Sequence, residues 1–90
     1  MKLTLFGSHL CQDTIYAICK LKDCKAEIDF RNISVDFSAL KEFMKIRESD
    51  PVYEPVKKSG GLGMPLMILE DGTKTLDLDE VLNLNDSTRS

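Results

Sequence analysis

Long apolar runs, an excess of positive charge, an even set of cysteines and internal repeats are all missing from this sequence. The N-terminal apolar run Leu3 to Phe6 is far too short for a secretory core or a membrane span, so neither export nor membrane anchoring is expected. Twelve basic against 15 acidic side chains leave a net charge of −3, which gives no positive field for a phosphate backbone. Nucleic acid is therefore not an expected partner. Three cysteines cannot all pair, and the odd count points to a reducing, cytoplasmic setting in which thiols stay free. Cys11, Cys19, Cys24 and the single histidine, His9, show no paired-ligand spacing, so no metal is expected either.

What is present, 90 residues with 42% hydrophobic and 30% charged side chains, suits one small domain over residues 1–84 with a flexible polar tail over 85–90. A chain of this size needs regular helices packed on a sheet to bury enough surface. Lys2 to Phe6 alternates with period two and is stopped by Gly7-Ser8, which predicts a first strand. Gln12 to Asp23 lacks glycine and proline and gathers Ala17, Ile18 and Leu21 on one side, which predicts a helix. Ala26 to Ile33 alternates again, pointing Ala26, Ile28, Phe30 and Ile33 to a core, and completes a strand–helix–strand unit with a right-handed crossover. A second helix, capped by Ser34 or Asp36, places Phe37, Leu40, Phe43, Met44 and Arg47 on one stripe and ends near Ser49 before Pro51. One more helical turn is expected between Pro51 and Lys58, then a glycine-rich connector over 59–63. Pro65 to Glu70 reads as a buried strand, and Asp71-Gly72 signals a two-residue type I′ hairpin into Thr73–Leu76. Asp77 or Asp79 caps a short last helix through Val81, Leu82 and Leu84. The charged side chains of the second helix, from Lys41 to Glu48, read as a solvated face.

Chemistry concentrates at Cys11. It follows the first strand and loop and immediately precedes a helix, where free N–H groups and the positive end of the helix dipole favour thiolate over thiol. Thr14 lies one turn on and is placed to donate its hydroxyl to the sulfur. Protonated His9 would add positive charge, and Asp13 would oppose it. Cys19 reads as a core or boundary side chain, and Cys24, at the helix end, as loop packing or a partly exposed thiol. Neither is placed to resolve Cys11, because a rise of about 1.5 Å per residue puts Cys19 roughly 12 Å away along the helix, beyond the ~7 Å limit for a disulfide.

With Pro65 opening the third strand and Asp71-Gly72 following it, the chain from Lys2 to about Leu84 resembles the glutaredoxins, particularly the compact glutaredoxin-related proteins of bacteria. The resemblance implies a thioredoxin-like α/β fold, β-α-β-α-β-β-α, with a four-stranded mixed sheet flanked by helices. It implies a cis bond before Pro65 and a monothiol oxidoreductase, with Cys11 and Thr14 catalytic. It places His9, Leu10, Met64, Pro65, Leu78 and Asp79 around glutathione or another small thiol used as co-substrate. The expected partners are that small thiol and protein mixed disulfides, acted on by a monomer. The sequence departs from the family in having Cys11-Gln12-Asp13-Thr14 where a second active-site cysteine or a serine stands, and Leu76-Asp77 where a glycine pair stands. It also lacks the glycine–phenylalanine segment of the iron–sulfur-carrying branch, which weighs against a cluster. The alternative from another class is a non-catalytic module, or redox sensor, that holds an extended peptide at the Met64-Pro65 edge.

Overall fold

Strand β1 (Lys2–Gly7) lies inside the sheet, and helices cover both of its faces, which explains why its inner part is apolar on both sides. The structure, a computed structural model, describes residues 1–89, with side chains described through Leu84. The chain runs on through α1 (Gln12–Asp23), β2 (Glu27–Asn32), α2 (Phe37–Ser49), a 3-10 turn (Pro51–Tyr53), α3 (Glu54–Ser59), β3 (Leu66–Leu69), β4 (Lys74–Thr75) and α4 (Leu78–Arg89). The strands form one four-stranded sheet in the order β2-β1-β3-β4. β1 and β2 are parallel, from Lys2 opposite Glu27 to Gly7 opposite Asn32. β3 is antiparallel to β1, with Phe6 opposite Leu66, and β4 is antiparallel to β3. The protein is thus α/β with a mixed sheet.

Two apolar clusters hold the layers together. Leu3, Leu5 and Met67 bury one sheet face against Ala17 and Leu21 of α1 and Val81 of α4. Phe6 and Leu66 bury the other face against Ala39 and Phe43 of α2 and Tyr53 of the 3-10 turn, with the Tyr53 ring edge-on to Phe43 at 6.0 Å. Among the described residues no helix is long and apolar enough to cross a membrane.

Several local expectations are corrected. Asp36 alone caps α2, its carboxylate accepting from the N–H groups of Ser38 and Ala39, while Ser34 turns its hydroxyl to Ser8. The buried stripe of α2 is Ala39 and Phe43; Phe37, 72% exposed, and Met44 face outward because the side of the helix packed against Phe6, Leu66 and Tyr53 runs through Ala39 and Phe43. Cys19 is exposed, not core, since the buried line of α1 runs through Thr14, Ala17 and Leu21. The β3–β4 connection is not a type I′ turn. That turn needs positive φ at both central residues, and only Gly72 (φ 89°) has it. Leu69 and Thr73 pair across Glu70, Asp71 and Gly72 instead, through the Leu69 N–H and the Thr73 carbonyl. The last helix runs to Arg89, beyond the short helix and polar tail expected, and Ser90 lies outside the described residues.

Candidate functional site

Cys11 occupies the N-cap of α1 with extended backbone (φ −98°, ψ 119°), at the end of the sheet where β1 stops. The loop that carries it is tied down by short-range polar contacts. Its N–H donates to the Ser8 carbonyl at 3.0 Å, and the Leu10 N–H donates to the Ser8 hydroxyl at 3.1 Å. The Ser8 hydroxyl also meets that of Ser34, which fastens the loop to the segment after β2. Thr14, fully buried, stands behind the cysteine on the first turn of the helix. Its Oγ1 accepts from the Ser8 N–H at 3.4 Å, which leaves the hydroxyl proton free to point elsewhere. Gly7 makes this approach possible, since a Cβ there would lie 2.5 Å from Thr14 Oγ1.

These contacts set the acidity of the sulfur. The Thr14 hydroxyl is the main cause that holds the Cys11 thiol below its ordinary value. Partial burial pushes the other way, the backbone N–H groups of Thr14 and Asp13 lower it further, and the Asp13 carboxylate raises it. The net result favours thiolate, the form that attacks sulfur. Cys11 is half-buried and opens into a shallow cleft of about 510 Å³ lined by His9, Leu10, Gln12, Asp13, Ile15 and Tyr16.

His9 lines this cleft and is held by the end of β2. Its Nδ1 lies 2.9 Å from Asn32 Nδ2, and the orientation of that amide is set by its Oδ1, which accepts from the Ser34 N–H. With the amide so oriented, Asn32 Nδ2 donates to His9 Nδ1. Asn32 and Ser34 were not expected at the site, Ser34 being read only as a possible helix cap; Asn32 ends β2, Ser34 follows it, and the parallel pairing of β1 with β2 brings them beside Ser8 and His9.

The other expected site residues share this end of the sheet without lining the cleft. Met64 and Pro65, joined by a cis peptide bond, lead directly into Leu66, which pairs with Phe6 at the end of β1. The approach to them is clamped from α2 and the 3-10 turn. Arg47 donates to the carbonyls of Gly61 and Leu62, and the Tyr53 hydroxyl donates to that of Gly63 at 2.7 Å. Leu78 packs partly buried against the α1–α4 cluster, and Asp79 is exposed, its N–H donating to the Asp77 carboxylate that caps α4. Cys19 and Cys24 are free thiols. Among the described residues no group of three or more histidine, cysteine or acidic side chains is arranged to hold a metal ion.

Fold and site together define an α/β protein with a mixed four-stranded sheet and an acidified cysteine at the start of its first helix. No protein-family model matches the sequence, and no solved structure matches it. The chain belongs to the same family as a protein of Haemophilus influenzae, described there only as an uncharacterized protein. The two are 30% identical over 80 residues, which cover 89% of this chain and 93% of that one.

Proposed function

We propose that this protein is a thiol–disulfide oxidoreductase of the thioredoxin-like, glutaredoxin-related kind, with Cys11 as its single nucleophile and a low-molecular-weight thiol such as glutathione as co-substrate. The observation that carries the reading is the placement of a solvent-reachable cysteine at the start of α1 beside a buried threonine hydroxyl, which holds its thiol below the ordinary value. The sheet order β2-β1-β3-β4, with β3 and β4 antiparallel to their neighbours, is compatible with a thioredoxin-like fold.

In the first step the Cys11 thiolate attacks one sulfur of a mixed disulfide. The S–S bond breaks, the departing thiolate takes the electron pair and a proton from solvent, and Cys11 is left in a new disulfide. In the second, a small thiolate attacks that disulfide and releases the Cys11 thiolate. The sum is one disulfide and one thiol exchanged for another pair, with no net oxidation. Thr14 steadies the thiolate both before attack and as the leaving group. We place this activity in a reducing compartment and assign it to a monomer.

The test is turnover of the neutral disulfide hydroxyethyl disulfide with reduced glutathione. Wild type, Cys19→Ser and Cys24→Ser should accelerate the exchange and Cys11→Ser should not. Equal acceleration by wild type and Cys11→Ser would overturn the proposal.

A further inference from the structure

We infer that the disulfide presented to Cys11 comes from a polypeptide segment whose cysteine has apolar neighbours, and that small anionic thiols serve only in the steps that follow; this rests on the proposed exchange at Cys11. The cleft around the sulfur is built for such a segment. Leu10, Ile15 and Tyr16 line it and are 78%, 41% and 57% exposed, large apolar side chains left in water at the one place where a covalent bond would anchor an occupant. The apolar surface continues across the loop. The Ser8–Ser34 and His9–Asn32 hydrogen bonds hold the segment after β2 against the Cys11 loop, and Val35 and Phe37, 73% and 72% exposed, follow directly in that segment. An extended chain fixed at Cys11 has apolar surface on two adjoining segments to cover.

Charge argues against glutathione as the docked group. Glutathione carries two carboxylates against one ammonium, and a site for it needs cations. The cleft lining contains no lysine or arginine, and it does contain the Asp13 carboxylate. The Lys20 ammonium rests over the Tyr16 ring, 5.6 Å from its centre, and does not line the cleft. A neutral apolar segment meets no such mismatch. The chemistry is that of the first step above. The Cys11 thiolate attacks the segment's sulfur and the departing small thiolate is protonated by solvent; a second small thiolate attacks the Cys11 sulfur, so that the segment leaves as its thiol, and a third attacks the small thiol's sulfur in the resulting mixed disulfide, giving a small-thiol disulfide and the free Cys11 thiolate.

Four disulfides separate the outcomes: hydroxyethyl disulfide, oxidised glutathione, and the mercaptoethanol mixed disulfides of acetyl-Leu-Cys-Leu-amide and acetyl-Gly-Cys-Gly-amide. Each second-order rate with Cys11 is divided by the rate of an unstructured reference thiol. The leucine peptide should exceed the glycine peptide by about tenfold, the gain from covering part of Leu10 and Tyr16. Oxidised glutathione should fall below hydroxyethyl disulfide, and Asp13→Asn should narrow that gap. In Leu10→Ser/Tyr16→Ser, both surface positions, the leucine-to-glycine ratio should collapse towards one. A ratio near one in the wild type, or a preference for oxidised glutathione while hydroxyethyl disulfide still reacts faster than with the reference thiol, overturns the substrate class and leaves the exchange reaction standing. No acceleration with any of the four overturns both.

Discussion

Replacing Thr14 by valine keeps the shape of a fully buried side chain and removes the one hydroxyl that faces the Cys11 sulfur. A hydrogen bond to a charged group contributes about 1.5–3 kcal/mol when water is excluded, and at a half-buried sulfur where water competes we take about 1 kcal/mol. That energy corresponds to about a fivefold loss of thiolate at pH values below the thiol's midpoint. The rate falls less than this, because the more basic thiolate is intrinsically more nucleophilic; with a Brønsted slope of about 0.4–0.5 the net loss is about two- to threefold. The same slope reverses the order at high pH. Once both proteins are fully ionised, Thr14→Val should alkylate about twofold faster than wild type. The assay is iodoacetamide labelling of Cys11, followed by mass spectrometry across the pH range, with thermal melts to confirm that the fold is kept. A crossover in the two rate profiles is the signature of acidity control. Superimposable profiles, or a Thr14→Val rate that is lower at every pH, would refute the hydrogen-bond argument and leave Thr14 as a packing residue only.

Two further outcomes test how the frame holds this site. Lys25 sits in the left-handed region (φ 61°) at the end of α1, where the Lys25 and Ala26 N–H groups bond back to the Lys22 and Leu21 carbonyls; Lys25→Gly should therefore stabilise the protein by about 0.5–1 kcal/mol in urea unfolding, and a loss of stability would contradict the assignment of this cap. Gly63 combines positive φ (77°) with a Tyr53 ring where a Cβ would lie, whereas Gly60 has positive φ (79°) in open space; Gly63→Ala should cost about 2–3 kcal/mol and Gly60→Ala about 1, and equal costs would show that the Tyr53 contact does not matter.

The sequence was most readable where one local signal decides the outcome. The starts of α1 and α2, the presence of a strand at β1, and the stop before Pro51 all rest on residues within a few positions, and the structure places each accordingly. Cys11 was legible for the same reason, since its position at a helix start follows from its neighbours alone. Phe37 and Met44 were misread because periodicity gives a stripe but not its direction, and the stripe that meets the sheet is set by where α2 crosses it. Cys19 was misread the same way. The partner of His9 and the roles of Asn32 and Ser34 depend on a parallel pairing between strands more than twenty residues apart, which leaves no mark within either segment. The hairpin shows a finer limit: Asp71-Gly72 does mark the turn, but its length depends on which residues pair across it, here Leu69 with Thr73.

The central claim, that acidity and not exposure selects the working thiol, is tested most directly by the order in which the three cysteines react. Cys19 is exposed while Cys11 and Cys24 are half-buried, so exposure alone puts Cys19 first. Brief treatment of the folded protein at neutral pH with limiting hydroxyethyl disulfide, followed by peptide mapping, reads the order. The account predicts a mixed disulfide on Cys11 before Cys19 or Cys24, with that lead cut about two- to threefold when Thr14 is valine, and Cys19 modified first or all three modified at equal rates would contradict it.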